Sequence, residues 1–125
     1  MAKKIILDGK SLKIEDIVAI VHDSSVLVEV SESAFLLCKK TEDYLHSSLN
    51  GKIIYGINTG FGPMASHVIN NSQLEQLQEN LIRSHAVGMG EPIPSDYVLA
   101  AMVVRLNTLA RGYSGVSRDL LERLQ

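Results

Sequence analysis

Hydrophobic and polar positions change rhythm several times along the chain, and each change predicts an element. Lys4 to Leu7 is a short apolar run closed by Asp8-Gly9, which reads as a strand and a turn. Ile14, Ile17, Val18 and Val21 recur at helical spacing, so Ile14 to His22 is predicted as a short amphipathic helix, broken by Asp23-Ser24-Ser25. Val26 to Val30 alternates apolar and polar and predicts a second strand or extended segment. Ser31 suits the N-cap of a helix running to about Leu49, where Asn50-Gly51 supplies a stop. Ile53-Ile54-Tyr55 is apolar and β-prone and leads into a glycine-rich stretch. Ser72 with Glu75 has the spacing of a capping box for a helix reaching about Ala86, ended by Gly88 and Gly90. After the stiff connector Glu91-Pro92-Ile93-Pro94, Ser95 is placed to cap a helix through about Ala110. Ser114-Gly115 breaks that helix, and Ser117 starts a last one. The fold class is mainly α, with short strands and one glycine-rich loop.

Two stretches are unusual for a self-contained domain. Tyr97 to Val104 is eight apolar residues in succession, apolar on every side of a helix. Such a helix belongs in the middle of a larger core, and this one is too short to span a bilayer. The helix beginning at Ser117 meets no stop signal before Gln125. Both suit a piece of a larger α-rich protein. A 125-residue helical domain that buries this helix centrally is the alternative.

Charge narrows the partners. Twelve basic and fourteen acidic residues give a net charge of −2, mixed along the chain with no basic block. Nothing points to nucleic acid or an anionic membrane, and Lys3-Lys4 reads as solvated charge. A single cysteine, Cys38, excludes an internal disulfide, and the start lacks the apolar core of a signal peptide. A reducing, cytoplasmic location is therefore expected. Cys38 ends the apolar run from Ala34, so it is expected as a buried thiol and not a nucleophile. The histidines and the cysteine show no C-x-x-C or H-x-x-x-H spacing, and no metal site is expected.

Candidate chemistry concentrates in Tyr55-Gly56-Ile57-Asn58-Thr59-Gly60-Phe61-Gly62. Its three glycines allow positive φ and close approach of backbone to a ligand, but a surface turn would use them equally well. They fit neither G-x-G-x-x-G nor a P-loop. Tyr55 stands where the apolar run meets this loop. Its hydroxyl is either a half-buried phenol in water or a donor or base in a site. On a helical wheel His85 falls within about 40° of Leu74 and Leu81, so it continues the apolar stripe at the end of its helix. It is either a satisfied structural histidine or a ligand contact. Arg105-Leu106-Asn107 and Arg111 follow the all-apolar segment. A buried arginine there would need a carboxylate partner, and a solvated helix end is the alternative.

The residues then resemble a family. Tyr55 to Gly62 resembles the Y-G-x-N-T-G-F-G signature of the histidine and phenylalanine/tyrosine ammonia-lyases. Leu77-Gln78-Glu79-Asn80-Leu81 followed by Ser84-His85-Ala86-Val87-Gly88-Met89-Gly90-Glu91-Pro92 resembles their next block. Arg105-Leu106-Asn107 through Leu109-Ala110-Arg111-Gly112-Tyr113-Ser114-Gly115-Val116 resembles the third. The order and spacing match from Ile53 to Val116, and the Lys4–Gly51 region is compatible.

This resemblance implies that residues 1–125 are the N-terminal segment of a mostly helical, cytosolic, homotetrameric enzyme much longer than this chain. Such enzymes eliminate ammonia from an amino acid through a methylidene-imidazolone electrophile made from Ala-Ser-Gly. No Ala-Ser-Gly occurs here, so the chain carries no cofactor of its own and is expected to be inactive alone. By the same resemblance Tyr55 would be the base, helped to ionise by positive helix ends or the electrophile. Gly60, Phe61 and Gly62 would line the pocket and its lid, and His85 would face the substrate side chain. Ser84-His85 resembles the histidine-using branch, which implies L-histidine as substrate and urocanate as product. A tyrosine or phenylalanine ammonia-lyase or aminomutase is the alternative, and a non-catalytic helical binding or assembly module is the alternative of another class.

Overall fold

The computed structural model describes residues 3–49 and 51–125. In chain order the elements are β1 (Lys4–Leu7), α1 (Ile14–His22), β2 (Leu27–Val30), α2 (Glu32–Ser48), α3 (Leu74–His85), α4 (Ser95–Leu109) and α5 (Arg118–Leu124), with 3-10 turns at Gly62–Met64 and Asn71–Gln73. The chain divides into two compact units, Met1–His46 with Pro92–Gln125, and Ser47–Glu91.

The first unit begins with a βαβ arrangement. β1 and β2 pair in parallel, with Lys4 opposite Leu27 and Leu7 opposite Val30. Parallel neighbours need a crossover, and α1 supplies it. Strand alternation turns Ile5 and Leu7 inward and leaves Lys4 and Ile6 outside. Outside, the Lys4 ammonium meets the Glu29 carboxylate at 2.6 Å, an exposed pair of small energetic weight. After β1, the Asp8 carboxylate accepts N–H bonds from Lys10 and Ser11, both at 2.8 Å, which hold it below the ordinary carboxylate range. Gly9, at φ +78°, could not carry a side chain, because its Cβ would lie 2.6 Å from the Arg111 side chain.

The helices close this core. Ser31 caps α2 as expected, its Oγ accepting the Ala34 N–H at 3.2 Å. Ala34, Phe35 and Cys38 then form one buried face, against which Val103, Leu106 and Ala110 of the α4 region and Leu121 of α5 are gathered. Ser117 caps α5 by accepting the Leu120 N–H at 3.3 Å. The Arg118 guanidinium lies 4.2 Å above the Phe35 ring, covering it from solvent.

Cys38 is buried as expected. Its thiol donates to the Leu109 carbonyl at 3.4 Å, and burial pushes its pKa up. A neutral, enclosed thiol is a poor nucleophile. A thiol reagent should therefore leave the folded chain unlabelled and react once denaturant is added. Rapid labelling without denaturant would contradict this packing.

Three sequence expectations are corrected. First, α4 buries only the side carrying Val103 and Leu106, while Tyr97 is 69% exposed and Val98, Met102 and Val104 are also exposed. The alternative of a 125-residue domain that buries Tyr97–Val104 centrally is therefore not what the described residues form, and the exposed sides suit the larger-core reading. Second, Ser95 is the first residue of α4 and makes no capping bond. Pro94 is the cap residue, its carbonyl accepting the N–H groups of Tyr97 and Val98 at 3.0 and 3.3 Å. Third, Ser72 and Glu75 form no capping box. The chain enters α3 already curled as a 3-10 turn, so Ser72 lacks the extended backbone an N-cap needs.

The second unit is a folded loop followed by α3. Gly51 takes φ +82° after α2. Asn50, expected to share in that stop, lies outside the described residues. Ile53-Ile54-Tyr55 is not a strand. The Ile54 carbonyl accepts from the Ile57 and Asn58 N–H groups at 3.1 and 3.2 Å, and the Ile54 N–H donates to Asn58 Oδ1 at 2.7 Å. The backbone groups a ladder would use are thus spent within one turn. Leu74, Leu77 and Leu81 are the half-buried face of α3.

Candidate active site

All six residues singled out as site candidates fall in the second unit. Their loop is held by its two buried polar side chains. Asn58 also donates from Nδ2 to the Lys52 carbonyl at 2.8 Å. Thr59 donates from Oγ1 to the Gly60 carbonyl at 2.8 Å and accepts the Gly56 N–H at 3.3 Å. The return strand is a single antiparallel bridge, Thr59 to Val68, flanked by Gly60 N–H to His67 carbonyl at 3.0 Å. Gly60 lies inside this fold. A Cβ there would sit 2.6 Å from the Met64 carbonyl oxygen. Gly56 needs φ +81°. Gln78 of α3 reaches back to the Gly56 carbonyl at 3.3 Å.

This scaffold leaves Tyr55 outward, 64% exposed. Its ring makes a T-shaped contact with Phe61, with centroids 6.2 Å apart and planes at 70°. Its oxygen accepts a long bond from the Gly62 N–H at 3.4 Å. The phenolic hydrogen and the remaining lone pair stay free for another partner.

His85 occupies the last turn of α3. Its Nδ1 lies 2.9 Å from the Leu81 carbonyl oxygen and 3.0 Å from Ser84 Oγ. Ser84 Oγ itself donates to that carbonyl at 2.8 Å. Phe61, Leu77, Asn80, Leu81, Ser84 and His85 line an open hollow of about 370 Å³. Phe61 is therefore shared, touching Tyr55 and walling the hollow that holds Ser84 and His85. Gly60, Gly62 and Tyr55 are not on that wall. An apolar surface carrying a few polar groups is the composition of a small-molecule site.

The third motif block does structural work in the first unit. Asn107 Oδ1 accepts the Gly9 N–H at 3.0 Å, tying α4 to the turn after β1. Gly112, at φ +76°, lies so close to α2 that a Cβ would be 2.6 Å from the Leu37 side chain. The Thr41 hydroxyl donates to the Gly112 carbonyl. Arg105 is exposed and has no ion pair among the described residues, which favours the solvated reading of that position. Among the described residues no cluster of His, Cys, Asp and Glu is placed to hold a metal ion, and no helix is long and apolar enough to cross a membrane.

The sequence profile of the aromatic amino acid lyases matches residues 12–125. The chain belongs to that family. A histidine ammonia-lyase of Streptococcus pyogenes serotype M3 is 40% identical over 125 residues, covering 99% of this chain and 24% of its own. The histidine ammonia-lyase of Caldanaerobacter subterraneus subsp. tengcongensis is 40% identical over 124 residues, with 98% and 24% covered. Among solved structures, the tyrosine aminomutase of Streptomyces globisporus superposes with a TM-score of 0.89 at 33% identity, over 97% of this chain and 23% of that one. The chain thus spans about a quarter of the length of the curated lyases it matches (24%). Within this lyase segment, sequence reasoning missed the roles of Asn58 and Thr59. The available signal was two hydrogen-bonding residues among glycines, where a local side-chain-to-backbone bond is the usual way to fix a turn.

Proposed function

We propose that this segment is the N-terminal part of a histidine ammonia-lyase, a cytoplasmic homotetramer converting L-histidine to urocanate and ammonia. The observation that carries this reading is the arrangement around Phe61. Its ring packs against the open phenol of Tyr55, and the same residue lines a hollow that also holds the His85 imidazole. Identity of 40% to histidine ammonia-lyases supports the same substrate.

A methylidene-imidazolone, formed from an Ala-Ser-Gly outside residues 1–125, would supply an electrophile that holds the substrate amine and makes it a leaving group. The residues present are compatible with such a neighbour. Tyr55 has an open oxygen, and apart from its chain neighbours no described residue lies within 4 Å of where a Gly62 Cβ would be, which leaves room for another group to approach. Tyr55, once ionised, takes the proton from the substrate β-carbon. Gly60 keeps the loop compact, while Gly62 presents bare backbone beside the phenol. Phe61 packs against the substrate, and His85, with Ser84 beside it, meets the substrate ring.

A second reading, a tyrosine ammonia-lyase or aminomutase, is favoured by the likeness to the tyrosine aminomutase. Substituting His85→Leu in a family-length lyase carrying this segment separates side-chain recognition from chemistry. Preference for histidine over phenylalanine should fall by at least about 10-fold, because the ring loses a hydrogen-bonding partner. Steady-state kinetics with the two amino acids measure it. An unchanged preference would remove His85 from substrate selection.

A further inference from the structure

His85 helps line the hollow, and its hydrogen bonds distinguish the two chemically different nitrogens of its imidazole. In the neutral ring one nitrogen donates and the other accepts. Nδ1 lies 2.9 Å from the Leu81 carbonyl oxygen. A carbonyl oxygen only accepts, so at that distance a bare Nδ1 would set two lone pairs against each other. A hydrogen on Nδ1 turns the same contact into a bond. The Ser84 hydroxyl directs its own hydrogen to the same carbonyl at 2.8 Å, which turns an Oγ lone pair towards Nδ1 at 3.0 Å. Both neighbours of Nδ1 then act as acceptors. Nε2 has no hydrogen-bond partner among the described residues, and its ring helps wall the hollow beside Phe61.

We infer that Ser84 and the Leu81 carbonyl fix neutral His85 with its hydrogen on Nδ1, so that Nε2 is left as the acceptor. Ser84 is on this account a positioning residue, acting through His85. A substrate imidazole N–H or phenol O–H satisfies Nε2, whereas a bare phenyl leaves it desolvated and unpaired, a costly outcome. The substrate half of this inference rests on the lyase reading, while the tautomer half stands on the geometry of α3 alone.

The tautomer is read directly by long-range proton–nitrogen NMR on the 125-residue chain labelled at histidine. The pH is held where the ring is neutral, and His85→Gln assigns its signals. His22, His46 and His67 provide exposed internal references. The expected result is Nδ1 of the pyrrole type and Nε2 of the pyridine type at His85. In Ser84→Ala the ratio of the two tautomers should fall by about 2- to 10-fold, the scale of one hydrogen bond. Ser84→Thr, which keeps the hydroxyl, should restore it. A majority of the Nε2–H form in the unaltered chain would overturn the inference, and an unchanged ratio in Ser84→Ala would overturn the role of Ser84. In a family-length lyase, His85→Gln should keep a preference for histidine over phenylalanine, because its amide oxygen replaces the acceptor. If Gln behaves like Leu there, the acceptor role is overturned. Loss of all lyase activity in the unaltered family-length protein would instead defeat the functional reading, and would leave the tautomer result standing.

Discussion

Replacing Tyr55 by Phe in a family-length lyase carrying this segment should lower kcat for histidine by at least about 10²-fold, the scale of lost general-base catalysis. The change removes one oxygen and keeps the ring, so the edge contact with Phe61 survives. Among the described residues the only intramolecular bond lost is the 3.4 Å one from the Gly62 N–H, which is too long to hold the loop by itself. Asn58 and Thr59 hold it, through bonds of 2.7 to 2.8 Å. A fall in activity can then be assigned to chemistry, provided the melting temperature is unchanged. Kinetics and thermal unfolding measured on the same preparation make the distinction. Near-normal turnover would eliminate Tyr55 as the base, and a large drop in melting temperature would assign it to the fold instead.

The second large effect is on stability. Leu106→Ala should destabilise the chain by about 2–5 kcal/mol, the range for truncating a buried leucine. Leu106 is 2% exposed and lies in the same core as Cys38, Val103 and Leu121. The position also anchors the third motif block, because Asn107 beside it holds Gly9 and Ala110 is fully buried. Urea denaturation followed by circular dichroism reads the change. A midpoint within error of the unaltered chain would mean that this core is not formed as described.

Much of the secondary structure was legible because it rests on local chemistry. The spacing of Ile14, Ile17, Val18 and Val21 defines α1 from Ile14 to His22, and Ser31 and Ser117 cap α2 and α5 through their own hydroxyls. Other features depend on partners distant in sequence or on competing local bonds. The parallel pairing of β1 with β2 cannot be read from two short apolar runs. Ile53-Ile54-Tyr55 has strand composition, but Asn58 captures its backbone and turns it into a loop. Ser72 and Ser95 have the right residue type for caps, and the 3-10 entry and Pro94 displaced them. For α4, the sequence shows residues apolar on all sides, whereas a unit of this size covers only one of them.

The site was legible in a different way. The resemblance to the ammonia-lyase motifs implies Tyr55, Gly60, Phe61, Gly62, Ser84 and His85 as a group, without saying which of them touch. The geometry separates their work. Gly60 is a packing position, since no Cβ fits beside Met64. Phe61 joins the Tyr55 ring to the hollow of Ser84 and His85. The orientation of the imidazole depends on a backbone carbonyl one turn earlier, which no motif records.

The most direct test of the central proposal is substrate turnover by a complete lyase built around this segment. Residues 1–125 joined to the remaining sequence of a histidine ammonia-lyase relative would be incubated with histidine, tyrosine and phenylalanine, with the 125-residue chain alone as the blank. The ultraviolet absorbance of the conjugated product reports elimination. The expected result is urocanate from histidine, a slower reaction with the other two amino acids, and no product from the chain alone. A folded, soluble complete protein that forms no urocanate, or that prefers tyrosine or phenylalanine, would contradict it, as would turnover by the 125-residue chain alone.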